Sequence, residues 1–177
     1  MYEKTYGDKY EATKDLDKAE ISKLIRADIK AGIASGLLPK GLKTSVRLAR
    51  FSGGSSIDVE ITACPFPVLN RARLWQDFAR PHDHSSPEVI LTPEAEALKT
   101  KLQRMMDANN YDGSDIQSDY FNVRFYGRAE FCHGVTKAER DAFEAEFKAG
   151  KVSEPKYDGG IATHREKVAT LLAVYCE

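Results

Sequence analysis

Ser118 to Phe131 reads S-D-Y-F-N-V-R-F-Y-G-R-A-E-F. Phe121, Val123, Phe125, Gly127, Ala129 and Phe131 share one parity; Tyr120, Asn122, Arg124, Tyr126, Arg128 and Glu130 share the other. Side chains alternate across a strand, so the rhythm predicts one long strand with an apolar face and a polar-aromatic face. The apolar face needs a roof of helices. The other face is left for water or a partner.

The roof is legible upstream. Asp17 and Glu20 form a capping-box pattern, and Ile21, Leu24, Ile25, Ile29 and Ile33 follow at helical spacing up to Gly36. This predicts a helix over Lys18–Ala34. Thr44–Phe51 and Ile57–Ile61 flank the turn residues Ser52-Gly53-Gly54-Ser55, which predicts a β-hairpin. Ile57, Val59 and Ile61 should pack on the first helix, while Asp58 and Glu60 face away toward Arg47. Thr92-Pro93 opens a second helix, to about Ala108, with Leu98, Leu102 and Met106 on its buried stripe. Thr136 and Glu139 repeat the capping pattern ahead of a helix ending near Ala149. Thr163 and Glu166 repeat it ahead of a C-terminal helix carrying Val168, Leu171, Leu172 and Tyr175. The expected fold is α+β: a small, mainly antiparallel sheet made of the hairpin and one long strand, two helices on one face, and two C-terminal helices. Residues 1–16 read as a flexible arm and 17–132 as the core. Residues 64–91, rich in proline, read as an insertion or flap, with a short helix over Asn70–Phe78. Residues 133–177 read as a helical extension.

The 177 residues suit one main core, and 42% hydrophobic with 30% charged residues suits a globular chain. A net charge of -1 argues against nucleic-acid binding by overall charge, but leaves a local basic patch open. Cys64, Cys132 and Cys176 match neither a disulfide framework nor a paired metal pattern, so reduced thiols in a cytoplasm are expected. The charged N-terminus does not read as a signal peptide, and no apolar run is long enough for a membrane span.

Three segments carry a resemblance: E-I-S-K-L-I-R-A-D-I-K (Glu20–Lys30), T-S-V-R…S-G-G-S-S-I-D-V (Thr44–Val59) and S-D-I-Q-S-D-Y-F-N-V-R-F-Y (Ser114–Tyr126). Together they resemble one of the domains associated with large polyvalent proteins of phages and conjugative elements. The resemblance covers roughly Asp17 to Phe131. It implies a phage or mobile-element setting, in which such domains also occur as small free-standing proteins, and a role in handling host defences or host machinery. It brings no catalytic residues.

The clusters that suggest chemistry have ordinary alternatives. His82-Asp83-His84 offers metal-ligand types, but no second Cys/His pair completes a zinc set, and a polar loop beside Pro81 accounts for it. The glycines after Phe51 lead into a strand rather than a helix, so they read as a hairpin turn and not a phosphate cradle. Asp112, Asp115 and Asp119 lack the spacing and closing Glu of a calcium loop. Cys132 and His133 are neighbours on a strand and point apart, which weakens a thiol–imidazole pair. The remaining candidate is the outer sheet face, with Arg47, Tyr120, Arg124, Tyr126 and Arg128 as its contact residues. Arg and Tyr are enriched at protein interfaces and also stack on bases.

The sequence therefore favours a non-enzymatic accessory protein that binds a host protein in the cytoplasm, with no cofactor and no membrane. A nucleic-acid-binding module using the Arg/Tyr face stands second. A metal- or thiol-dependent enzyme using His82, His84, Cys132 or His133 stands third. Oligomeric state is open, since strand edges can pair with a second copy.

Overall fold

The helix over Lys18–Ser35 (α2) begins where the sequence places it. The Asp17 carboxylate accepts from the Glu20 N–H at 2.8 Å, and the Glu20 carboxylate accepts from the Asp17 N–H at 2.9 Å. It ends at Gly36, whose φ of 83° only glycine adopts without strain. The computed structural model describes residues 4–79, 91–115, 117 and 121–154. Before α2 lie β1 (Thr5–Tyr6) and the single-turn helix α1 (Tyr10–Thr13). After it come β2 (Lys43–Phe51), β3 (Gly54–Ala63), α3 (Arg71–Ala79), α4 (Pro93–Asp107), β4 (Tyr111–Asp112), β5 (Ala129–Phe131) and α5 (His133–Lys148).

The architecture is α+β. β2 and β3 form the expected hairpin, with Val46 opposite Val59 and Leu48 opposite Ile57. β5 pairs with the far side of β3, in parallel, giving the order β2-β3-β5. α2 lies over β2 and α4 over β5, on the same side of the sheet. Between them they bury Ile21, Ile25 and Ile29 of α2, Ile57, Val59 and Ile61 of β3, and Leu98, Leu102 and Met106 of α4. Each such side chain contributes about 1.5–3 kcal/mol relative to exposure.

The long strand expected through Phe131 is not one strand. Only Ala129–Phe131 is regular, with isolated bridges at Val123 and Tyr126. The backbone of 121–131 is handed from partner to partner. The Gly113 N–H donates to Asn122 O, and the Arg124 N–H to Tyr111 O, so the first part pairs with the β4 region. At Phe125 the Asn110 side-chain amide takes over, donating to Phe125 O and accepting from its N–H. From Tyr126 onward the partner is β3: the Tyr126 N–H donates to Ser55 O, Ile57 N–H to Tyr126 O, and Val59 N–H to Arg128 O. Burial follows the alternation only after the change. Phe125 and Ala129 are buried, whereas Phe121 is 65% exposed.

Gly127 sits where the segment closes on β3. A Cβ there would lie 2.0 Å from Ile57 O and 3.0 Å from Met106 Cε. The Ala129 N–H donates to the Gln103 side chain of α4 at 2.9 Å, which fixes the segment from the helix side as well.

The N-terminal residues expected as a loose arm pack on the core where they are described. β1 pairs antiparallel with β4, Thr5 opposite Asp112 and Tyr6 opposite Tyr111. Tyr6, Tyr10 and Tyr111 gather their rings at centroid distances of 5.0–5.7 Å.

α3 and α5 form a second core, where Leu69, Leu74 and Phe143 are buried with Trp75, Phe78 and Phe147 around them. The short helix expected near Asn70–Phe78 is α3, capped by Asn70, whose side chain accepts from the Ala72 and Arg73 N–H groups. The start expected for α5 is corrected. The helix begins at His133 after the N-cap Cys132, so Thr136 and Glu139 lie inside its first turns. Glu139 instead reaches 71 positions back and accepts from the Val68 and Leu69 N–H groups at 2.8–2.9 Å. The expected C-terminal helix lies outside the described residues. Among the described residues no helix is long and apolar enough to cross a membrane.

Gly127→Ala should lower unfolding free energy by about 3 kcal/mol, because a methyl group there meets backbone that cannot move aside. Gly134→Ala, whose Cβ meets only Cys132 Sγ at 3.7 Å, should be near neutral; denaturant titration of both variants checks the contrast. The α2 cap should be pH-sensitive. Hydrogen bonding from the Glu20 N–H holds the Asp17 carboxyl below its ordinary 3.8. Its stabilisation is complete above that value and lost as pH falls through the folded-state value. The melting-temperature gap between the native chain and Asp17→Ala should therefore narrow in acid, and melts from neutral to strongly acidic pH measure it.

Candidate functional site

The outer sheet face carries the side chains that β2 and β3 turn away from α2. Arg47 and Asp58 are directly paired in register, and Arg47 Nη2 meets Glu60 Oε2 at 2.9 Å. The counter-charge expected for Arg47 is thus present. Across β3, Arg128 Nε lies 3.3 Å from Glu130 Oε2. These residues line an open cleft of about 500 Å³, closed at one end by Cys132, His133 and Thr136 at the start of α5. Both guanidiniums are largely exposed, so each pair contributes little to stability, on the order of 0–1 kcal/mol. What the pairs do is spend the positive charge of this face locally.

The residues proposed from sequence as one surface separate into different settings. Arg47 and Arg128 share the cleft. Arg124, half-buried, is not beside them but lines the same hollow as Tyr126. Its guanidinium donates to Thr13 Oγ1 at 2.9 Å, Asn109 O at 2.8 Å and Leu16 O at 3.3 Å, and also to Thr13 O. It stacks on the Tyr10 ring at 5.3 Å. Burial lowers its pKa from the usual arginine value, with Tyr10 and Asp15 opposing the shift. Arg124 is therefore a tie between the N-terminal residues and the crossing segment. The irregular backbone at 121–128 turns it inward, where a continuous strand would have aimed it out. Tyr120 lies outside the described residues.

Tyr126 stands in a second groove, of about 530 Å³, at the hairpin tip. Its ring packs on Phe51 at 5.9 Å, tilted by 40°. Phe51, Phe121 and Tyr126 are 50%, 65% and 39% exposed. Arg50, Asp17 and Lys18 complete the rim. Sequence reasoning missed Phe51 and Phe121 as surface residues. An aromatic next to a turn reads equally as core, and Phe121 shares the parity of residues that are buried.

His82 and His84 lie outside the described residues. Among those described, no group of three or more His, Cys, Asp or Glu side chains is placed to hold a metal ion. Cys132 is half-buried at the α5 N-cap and His133 follows it, so the two share a cleft wall. Burial pushes the Cys64 thiol above its ordinary value, which disfavours the nucleophilic thiolate there. Searches against protein-family models, curated proteins and solved structures found no match.

Replacing Arg124 with Met should cost about 2 kcal/mol, because the carbonyls of Thr13, Leu16 and Asn109 lose a charged donor. Limited proteolysis should then cut within residues 4–16 faster than in the native chain, with cleavage elsewhere slowed or unchanged.

Proposed function

We propose that this chain is a non-enzymatic accessory protein of a phage or mobile element that binds a host cytoplasmic protein, to counter host defence or redirect host machinery. The observation that carries the binding reading is the hairpin-tip groove, where Phe51, Phe121 and Tyr126 stand exposed around one hollow with Arg50 on its rim. Aromatic residues and arginine are the types enriched where proteins meet, and a cluster of them costs solubility unless it has a use. The resemblance of Glu20–Lys30, Thr44–Val59 and Ser114–Tyr126 to polyvalent-protein domains supports the mobile-element setting.

The nucleic-acid reading draws less support. Arg47 and Arg128 already face carboxylates, and Arg124 is committed to internal carbonyls. A phosphate backbone would have to displace these partners, and it is the free cations of a surface that supply such binding.

Affinity capture from host lysate tests the proposal, with the native chain set against a Phe51→Ser/Phe121→Ser variant. A single host protein should be retained by the native chain and lost from the variant, whose melting temperature should stay close to native because both rings are exposed. Identical captures, or retention of nucleic acid alone, would overturn it.

A further inference from the structure

The direction of each backbone group in the sheet follows from the pairing. The N–H groups of Ile57 and Val59 donate toward the segment leading into β5, and the Ile61 carbonyl accepts from Cys132. The odd-numbered residues of β3 thus spend their backbone groups on the β5 side, and Asp58 and Glu60 spend theirs on β2. Their partners there are Arg47 and Ser45, with Ala49 opposite Ser56 next along. The backbone groups of Val46, Leu48 and Arg50 therefore point out of the sheet, along its free edge. Among the described residues no strand pairs with that edge. One of its carbonyls has a partner: Arg26 Nη2 of α2 donates to Val46 O at 2.5 Å.

That contact also places a row of charge. Lys23, Arg26 and Lys30 share one exposed helical face, and from that face Arg26 reaches the edge. β2 adds Lys43 and Arg50, exposed as well, whereas Arg47 is already held by Glu60 on the outer face. Set against Arg50 and Lys23 is Asp17, within the fields of both. Among the described residues, the edge thus presents the outward backbone groups of Val46, Leu48 and Arg50, one carbonyl taken by Arg26, with these cations beside it.

Building on the protein-binding reading above, we propose that β2 receives an extended, acidic segment of the partner protein as an added strand. Strand addition uses main-chain hydrogen bonds for affinity and side chains for selection. The cation rows select glutamate- or aspartate-rich sequence. They disfavour a second copy of this chain, which would set cations against cations along the seam. A nucleic acid would satisfy the charges and leave the outward amides unpaired.

Hydrogen exchange on the full isotope-labelled chain reads this directly. In the free protein the amides of Val46, Leu48 and Arg50 should exchange faster than those of Arg47 and Ala49. A short peptide alternating Glu with Val and Thr should slow those three amides, whereas the matching Lys peptide should not bind. Methylating alternate backbone nitrogens of the acidic peptide should weaken it roughly tenfold, the scale of losing a hydrogen bond or two. Lys43→Glu/Arg50→Glu should weaken it similarly without altering the exchange of Arg47 and Ala49. Edge amides already slow in the free chain would overturn the proposal. So would absence of acidic-peptide binding, indifference to methylation, or a single-stranded oligothymidine binding as well as the peptide. If the acidic peptide fails while the hairpin-tip variant still loses its captured host protein, strand addition falls and the protein-binding reading stands.

Discussion

Everything in this fold turns on how closely the segment 121–131 approaches β3. It arrives bonded to the β4 region, changes partner at Phe125 through the Asn110 amide, and closes on β3 with Gly127 against the Ile57 carbonyl. The close approach lets a short strand, Ala129–Phe131, occupy the second edge of β3 in parallel. α4 can then lie over that side while α2 lies over the hairpin. A larger residue at 127 would hold the segment off β3 and open the core at Phe125 and Met106.

The same change of partner decides what each arginine does. Arg128 lies after it and points outward with Glu130. Arg124 lies before it and is drawn under the N-terminal residues. Arg47, on the regular hairpin, faces out with Glu60. Residues of one chemical type thus divide into a half-buried tie and a neutralised surface. Among the described residues, the exposed aromatics at the hairpin tip and the outer edge of β2, where no strand pairs, then stand out.

Much of this was readable in the chain. α2 and α4 carry their caps and apolar stripes openly, and the hairpin is announced by Ile57, Val59 and Ile61 alternating beyond a glycine turn. Local signals suffice there, because each helix satisfies its own backbone and the hairpin strands pair with their neighbour in sequence. The crossing segment was misread because parity assumes one continuous partner, and the partner changes where a side chain, Asn110, stands in for a strand. Glu139 was misread because its capping pattern is genuine in spacing, but Cys132 had already opened the helix and the carboxylate found two distant N–H groups. The candidate surface suffered most. Apart from Arg47, its residues lie on a segment whose parity holds only from Phe125 onward.

The bond from Glu139 to Val68 and Leu69 also has a meaning in time. Around α3 the second core is built largely from α5, through Phe143 and Phe147. On a ribosome adding ~5–20 residues per second, the 71 positions between Val68 and Glu139 take roughly 4–14 s to emerge. For that interval Trp75 and Phe78 lack Phe143 and Phe147. The second core is thus completed only once α5 has been made, late in synthesis.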